Sequence, residues 1–257
     1  MLFKVSNSQN NYTVYKKKIQ LHCELGIMTK EIIKSAPIDC QKCELHLKRT
    51  QIVYPDVFSN SKDNITIMVI GEAPGAKEDE QGKPFVGASG KILRKELRRL
   101  PGQVIITNTV KCRPPENRNP RSAEKKACRE HLDLELDHYQ PDFVLLVGRV
   151  SSSLFIDSES LKNFTSLSGT LFKEKYIPVL HPASTMYNGK KNKPIWEESW
   201  NNIIKIIYDA FPNATLVSSD DMNQSDNETT LTNPIIHKKT KDGKVITSLN
   251  RFLQDVE

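Results

Sequence analysis

Residues 65–93 read ITIMVIGEAPGAKEDEQGKPFVGASGKIL, an apolar run followed by a loop rich in glycine and acidic residues. The run Ile65–Ile70 is rich in β-branched residues and ends at Gly71, which is typical of a strand covered on both faces. Three more apolar runs have this character, and each stops at a distinctive residue. They are Val104–Thr107 before Asn108, Phe143–Val147 before Gly148, and Tyr176–Leu180 before His181.

Amphipathic stretches lie between and after these runs, at Lys91–Leu100, Ser122–His138 and Glu197–Ala210. Strands that alternate with helices predict an α/β fold, here a three-layer αβα domain with a central, mostly parallel four-stranded sheet. Ligands of such sheets bind beyond the carboxyl ends of the strands. We therefore expect a site near Gly71 and Glu72, and near the residues that end the other runs.

Composition divides the chain into three parts. Residues 1–27 are polar and are predicted to be a flexible extension, residues 28–212 carry the α/β pattern, and residues 213–257 combine an acidic linker with a basic tail and are predicted to be disordered. The N-terminus lacks the pattern of a secretion signal, and no apolar run approaches the roughly 18 residues of a membrane span. We expect a cytoplasmic, nucleoid-associated protein that acts as a monomer.

Basic residues concentrate in one region of the chain. The 257 residues carry a net charge of +6, yet residues 91–126 alone hold 11 Lys or Arg against 3 Glu. A solvated helix face would explain a single basic helix, but this bias also includes a strand end and the proline-rich loop Arg113–Arg121. A polyanion is the expected partner, and nucleic acid is the common one.

Four cysteines form two pairs. Cys40 and Cys43 have C-x2-C spacing, while Cys112 follows a strand end and Cys128 lies on the next predicted helix. Four thiolates suit either zinc or an iron–sulfur cluster, and the cysteines alone leave both open. Cys23, in the N-terminal extension, is predicted to take no part.

Three motifs together resemble one family. GEAPGAKEDEQGKPFVGASGKIL at 71–93, TNTVKCRPPENRNP at 107–120 and HPAS at 181–184 are similar to the family 4 uracil-DNA glycosylases, iron–sulfur members of the uracil-DNA glycosylase superfamily. The resemblance covers roughly residues 39–208. It implies hydrolysis of the N-glycosidic bond of a flipped-out deoxyuridine in DNA, which leaves an abasic site and initiates base excision repair. It also implies that Cys40, Cys43, Cys112 and Cys128 hold a 4Fe–4S cluster.

The resemblance assigns catalytic tasks to two motif residues. His181 is implied to bind uracil O2 and to stabilise the anionic leaving group, and Glu72 is preferred over Glu78 as the carboxylate that orients water. Other branches of the superfamily carry Asp where this chain has Ala73, so leaving-group stabilisation is expected to provide more of the rate. No lysine is placed as a Schiff-base nucleophile, which implies a monofunctional enzyme.

Recognition of the base is implied for other residues of the same motifs. Phe85 is expected to stack on uracil, and the Asn108 amide is expected to pair with O4 and N3–H, which disfavours cytosine. Gly71, Ala73 and Glu78 are the remaining predicted uracil contacts.

The stretch HPASTMYNGKKNK at 181–193 departs from the family pattern after its first residues. Met186 is predicted to act as a wedge in the DNA, and the predicted phosphate contacts are Lys190, Lys191, Arg118 and Arg121. The departure, together with Ala73, motivates one alternative, a uracil-DNA binding module with little turnover. A second alternative is a glycosylase for another deaminated base.

The C-terminal segment Ile246–Leu253 reads ITSLNRFL and resembles a sliding-clamp-binding peptide. Leu249 and Phe252 fit that pattern, whereas Ile246 and Leu253 depart from it. Two interpretations of this segment stay open: a peptide that contacts a sliding clamp, and a short helix without that role.

Overall fold

A computed structural model describes residues 35–215 and the backbone of residues 238–239 and 245–246. A five-stranded sheet lies at the centre of residues 35–215, in the order β1-β3-β2-β4-β5. Strands β2 to β5 run parallel, and β1 pairs antiparallel with β3 at the edge. The strands are β1 Asp56–Ser59, β2 Thr66–Gly71, β3 Gln103–Asn108, β4 Phe143–Val147 and β5 Tyr176–Val179.

The predicted α/β class with a mostly parallel sheet is confirmed. The four predicted strands occur within one residue of their expected bounds. The prediction of four strands missed β1, because its sequence DVFS is short and has no run of apolar residues. The extra strand covers an edge of the sheet that would otherwise present unpaired backbone groups.

Helices cover both faces of the sheet, as the three-layer prediction requires. The α-helices are α1 Ala76–Gln81, α2 Ala88–Leu97, α3 Ser122–Tyr139, α4 Arg149–Ser152, α5 Phe164–Leu167, α6 Ala183–Tyr187 and α7 Gly189–Ala210. Short 3-10 helices occur at Glu44–Leu47, Pro115–Asn117 and Ser160–Asn163.

Alternate residues of β2 point into two different cores. Ile67 and Val69 pack in one cluster with residues of α2 and α7, such as Leu93 and Trp200. Met68 and Ile70 pack in the opposite cluster, together with Leu132 of α3 and Leu161. Because both faces are buried, the strand is apolar at nearly every position, and each fully buried aliphatic side chain contributes roughly 1.5–3 kcal/mol.

Two helices begin earlier than their sequence patterns predict. Helix α2 begins at Ala88 instead of Lys91, because the Glu78 carboxylate accepts hydrogen bonds from the backbone N–H groups of Val86 and Gly87 just before it. Helix α7 begins at Gly189 instead of Glu197, and Pro194 lies inside it. An interior proline has no N–H for the helical hydrogen bond and is typical of a helix boundary, so in the sequence it obscures the true beginning of the helix.

The remaining described residues form a small antiparallel pair, Lys238–Lys239 with Val245–Ile246. Of the predicted clamp-binding peptide, only Ile246 falls on this pair, and the rest lies outside the described residues, as does the predicted extension at 1–27. The same holds for most of 213–257, so those predictions stay open. Among the residues that the structure describes, none of the helices has both the length and the apolar character that crossing a membrane requires.

Candidate active site

The carboxyl ends of the parallel strands bring the predicted residues together. Gly71, at the end of β2, lies opposite Asn108, at the end of β3. On the other side, the N–H of Gly148 after β4 donates to the carbonyl of Val179 in β5, two residues before His181. Parallel register therefore places residues that are far apart in sequence at one edge of the sheet.

Gly71 lies in close contact with two of the predicted recognition residues. A Cβ at this position would meet the Asn108 Oδ1 and the Phe85 ring at 2.5 Å. Such contacts are far below van der Waals distance, so only glycine leaves room for both side chains here. The Asn108 amide and the Phe85 ring thus border the same space.

Phe85 projects from a tight turn between α1 and α2. Its φ is 54°, in the left-handed region that a bulky residue rarely adopts, and its side chain is mostly buried. Its ring centroid lies 6.2 Å from that of His181, with 36° between the ring planes. The turn thus brings Phe85 to the strand ends that carry Asn108 and His181.

His181 is held as a neutral ring with a defined tautomer. The backbone N–H of Ala183 donates to Nδ1 at 3.3 Å, so the neutral ring carries its proton on Nε2. Burial lowers the pKa of His181 below its usual value, because the charged ring would lose hydration. The ring therefore offers an Nε2–H donor at neutral pH.

Glu72 lies beside this group, and its side chain is partly buried. Burial raises the pKa of its carboxyl, and the charge of Lys125 opposes that shift. Two hydrogen bonds from Thr109 fix the backbone here. Its hydroxyl donates to the Glu72 carbonyl at 2.5 Å, and its N–H donates to the Gly71 carbonyl at 2.9 Å. Ala73, the next residue, packs against the cluster that contains the cysteines.

Glu78 is placed differently from Glu72. Its Oε1 accepts the N–H groups of Val86 and Gly87 at 2.9 and 2.8 Å. These bonds engage the carboxylate in the turn that presents Phe85. The structure thus gives Glu78 a supporting task and leaves Glu72 as the carboxylate without such an engagement.

The four predicted thiols line one cavity. Cys40 and Cys43 come from the segment before the 3-10 helix Glu44–Leu47, Cys112 follows β3, and Cys128 lies on α3. Burial raises the pKa of Cys43 and Cys112, and it raises the pKa of Cys128 to about 12. Within the described residues, no three His, Cys, Asp or Glu side chains are arranged so that they could hold a metal ion.

Nitrogen donors contact two of these sulfurs. Arg49 donates to the Cys112 Sγ at 3.2 Å, and the Lys111 backbone N–H donates to the Cys128 Sγ at 3.4 Å. The His131 Nε2 lies 3.5 Å from the Cys40 Sγ, but it is no donor, because the neutral ring carries its proton on Nδ1, which donates to the Ser35 carbonyl. Metal-bound thiolates carry negative charge, and nitrogen donors around the sulfurs of an iron–sulfur centre stabilise that charge. The four soft sulfur ligands and their donors therefore fit an iron–sulfur group.

A buried ion pair connects the cysteine cavity with the strand ends. The Lys111 Nζ lies 2.6 Å from the Glu135 carboxylate, and it also donates to the Thr107 hydroxyl and the Asn108 carbonyl. Glu135 in turn accepts bonds from Ser35 and Thr107. Neither charged side chain exceeds 1% exposure. The Asn108 backbone and the cavity wall are thus parts of one hydrogen-bonded network.

The predicted DNA contacts are distributed over two regions. Met186 and Tyr187 end α6 with large exposed side chains, and Lys190 and Lys191 are exposed at the start of α7. Arg118 and Arg121 form ion pairs, with Glu124 and Glu44 respectively. The basic bias of residues 91–126 is therefore partly neutralised within the fold, most completely at Lys111.

Sequence reasoning missed several residues that shape this site. Lys111 and Glu135 read as ordinary charges, and Arg94 read as one cation of a basic helix. Thr109 and Tyr187 gave no signal except their places beside Asn108 and Met186. The VKC context of Lys111, next to a predicted ligand, was the one sequence feature that could have pointed to its burial.

Replacement of Lys111 by Met should be strongly destabilising, because it leaves the Glu135 carboxylate buried without a countercharge. We expect the free energy of unfolding to fall by about 3–5 kcal/mol in chemical denaturation. The control is Lys162→Met, which breaks the exposed pair with Glu159 and should cost less than about 1 kcal/mol. Equal losses in the two variants would show that the buried pair contributes little.

Comparisons with known proteins agree with this geometry. Residues 58–204 match the model of the uracil DNA glycosylase superfamily. A protein of Sulfurisphaera tokodaii named Type-4 uracil-DNA glycosylase is 40% identical over 187 residues, which cover 67% of this chain and 82% of the relative. A protein of Thermotoga maritima with the same name is 36% identical over 166 residues, which cover 62% and 83%. The family resemblance inferred from the motifs is confirmed, and the chain belongs to the uracil DNA glycosylase superfamily.

Proposed function

We propose that the chain is a uracil-DNA glycosylase, which hydrolyses the bond between uracil and deoxyribose in DNA and leaves an abasic site. The observation that carries the proposal is the convergence of Phe85, Asn108 and His181 at the carboxyl edge of one sheet. The Type-4 uracil-DNA glycosylase names of the relatives support the same reaction.

Recognition requires that the uracil leaves the base stack, because its glycosidic bond is not accessible inside a duplex. The Phe85 ring offers a surface for stacking, an interaction worth about 1–3 kcal/mol per base. The Asn108 amide is buried at the end of β3 and has both a donor and an acceptor. That combination matches O4 and N3–H of uracil and mismatches the corresponding atoms of cytosine.

Bond cleavage leaves negative charge on the uracil ring. The Nε2–H of neutral His181 can donate to uracil O2, and this hydrogen bond strengthens as the charge develops. Such a contact stabilises the transition state more than the bound substrate. His181 is therefore the proposed catalytic residue for departure of the base.

Water must then reach the sugar carbon. Glu72 is the proposed carboxylate for orienting it, since Glu78 is engaged in the Phe85 turn. The lysine nearest to Asn108 along the chain, Lys111, has three acceptors around its amine and is paired with Glu135. An amine held in this way is not free to attack the sugar, which supports a monofunctional glycosylase.

The proposed DNA surface continues from His181 along α6. Met186 and Tyr187 are adjacent and are 52% and 89% exposed, so both side chains are available for contact with DNA. Either side chain can fill the space that a flipped nucleotide leaves. Lys190 and Lys191, and Arg118 and Arg121 on the other basic segment, are the proposed phosphate contacts.

The proposed cofactor is a 4Fe–4S cluster held by Cys40, Cys43, Cys112 and Cys128. The four thiols on one cavity and the nitrogen donors around them support it. Bound there, the group would supply a covalent link between the N-terminal segment, the end of β3 and α3. The chain's own residues perform every step of the hydrolysis proposed above.

Uracil release tests the proposal directly. The substrate is an oligonucleotide with one uracil, single-stranded or in a duplex, and the abasic product should break only after alkali treatment. We expect multiple turnovers, and Asn108→Asp should lower kcat/KM for uracil by about 10²-fold or more because the buried donor is lost. Asn201→Asp, an exposed change on α7, is the matched control. Tight binding without release would instead make the protein a uracil-DNA binding module.

The pH profile should report a neutral histidine. Burial lowers the His181 pKa from 6.5, so the ring stays neutral above that value and becomes charged only as the pH falls below it. Protonation of Glu72, whose pKa is raised, removes its carboxylate in the same direction. We expect kcat/KM for uracil to be constant between about pH 7 and 8 and to fall on acidification.

Glu72→Gln separates the two groups in this profile. It should lower activity and leave only the acid limb that belongs to His181. Activity that rises as the pH falls below 6.5 would mean that the reaction needs a charged histidine, and it would contradict the proposed role.

The cluster is tested by metal content. Protein purified without oxygen should be brown and contain iron and labile sulfide, and Cys43→Ser should lose iron and melt at a lower temperature. Cys23→Ser is the matched control, which should keep the iron. Zinc without iron in the wild-type protein would contradict the cluster.

A further inference from the structure

We propose that Arg94 is a positioning residue for base stacking, and that Arg94 and Asp56 together hold the turn that presents Phe85. The inference rests on the proposed uracil-DNA glycosylase function, because it concerns how that site is kept in shape. Arg94 lies on α2 and Asp56 on the edge strand β1.

Arg94 fixes both peptide groups that flank Phe85. Its Nε donates to the Phe85 carbonyl at 2.9 Å, and one terminal nitrogen donates to the Pro84 carbonyl at 2.6 Å. The orientation of the first peptide group, Pro84–Phe85, sets φ of Phe85, and that of the second, Phe85–Val86, sets ψ. A single guanidinium therefore determines the direction in which the Phe85 side chain leaves the backbone.

The second peptide is held from its other side as well. The Val86 N–H donates to the Glu78 carboxylate, so Arg94 and Glu78 bind opposite ends of the same peptide group. This support is needed because φ of Phe85 is 54°, an unfavourable value for a bulky side chain. Without it, the turn would relax toward a conformation that points the ring elsewhere.

Asp56 fixes the guanidinium in turn. Its Oδ2 lies 2.7 Å from the Arg94 terminal nitrogen, and the side chains of Arg94 and Asp56 are 20% and 15% exposed. The flat fork of arginine can bind two carbonyls and a carboxylate together, whereas the ammonium of lysine lacks that geometry. The edge strand that sequence analysis missed thus supplies a contact for the active-site turn.

The close packing of α2 makes the contact possible. At Gly90, one turn before Arg94, a Cβ would lie 2.2 Å from the Phe85 carbonyl oxygen. Residues four apart share a helix face, so the approach at Gly90 brings Arg94 within reach of the same turn.

A double-mutant cycle with Phe85 tests the proposal. The readouts are single-turnover uracil release and the concentration of free uracil that halves it, since free uracil reports on the pocket and not on phosphate contacts. Arg94→Met should raise that concentration by about 5- to 150-fold, the range that one stacking contact represents. In a Phe85→Ala background the same change should cost less than about twofold, because the interaction is already lost.

Three further variants make the result specific. Arg99→Met removes the same charge just after the end of the same helix, where Arg99 contacts Glu96 and Asn201 and not the Phe85 turn, so it measures the general charge effect. Arg94→Lys keeps the charge without the fork and should lie between wild type and Arg94→Met. Asp56→Asn leaves Arg94 in place, and its effect on inhibition by free uracil should likewise be lost in the Phe85→Ala background. This variant tests the positioning role if Arg94→Met does not fold.

Equal losses from Arg94→Met with and without Phe85, or a loss no larger than that of Arg99→Met, would overturn the positioning role. These outcomes leave the proposed function intact as long as the wild-type protein releases uracil. Absence of release by the wild-type protein would reject the proposed function itself, and with it the basis of this inference.

Discussion

The ion pair between Lys111 and Glu135 is the interaction on which the arrangement of the site depends. Both charges are buried, so each requires the other and the hydrogen bonds around it. The Lys111 amine donates to the Asn108 carbonyl, and the Lys111 backbone N–H donates to the Cys128 sulfur. The end of β3 is thereby fixed relative to α3 and to the cysteine cavity before any ligand is bound.

A second constraint applies to the loop between β2 and α2. Its glycines and carboxylates form the turn from which the Phe85 ring projects. Glu78 holds the amides of that turn, and Gly71 leaves room for the ring beside Asn108. The proposed recognition residues are preorganised by backbone contacts, which lowers the cost of ordering them in the proposed complex with a base.

The sequence predicts the parallel strands well, because strands buried on both faces are apolar at nearly every position and end abruptly. The residues at those ends, Asn108 and His181, follow from the rule that parallel strands share one functional edge. Residues that act through tertiary contacts are different. Arg94, Lys111 and Glu135 are of residue types that are usually exposed to solvent. Only the packing of α2 and α3 against distant segments reveals their partners.

The beginnings of the helices were predicted with unequal accuracy. Helix α3 begins at Ser122 as expected, because Glu124 accepts a bond from the Arg121 N–H at the helix start. Helix α2 begins three residues early. Its N-cap residue Gly87 offers no side chain, and the N–H groups of Val86 and Gly87 just before the helix bind Glu78 of the preceding helix α1. A bond from a neighbouring residue can be predicted from the sequence, whereas support from a more distant residue requires the fold.

Strand β5 forms the edge of the sheet opposite β1, and its composition has a consequence for association. Pro178 has no N–H to offer, and its carbonyl already accepts a bond from Gly169. A bridge between Phe172 and Tyr176 covers the beginning of the same strand. An incoming strand would find no continuous row of donors and acceptors along β5, so growth of the sheet from chain to chain is blocked on this side.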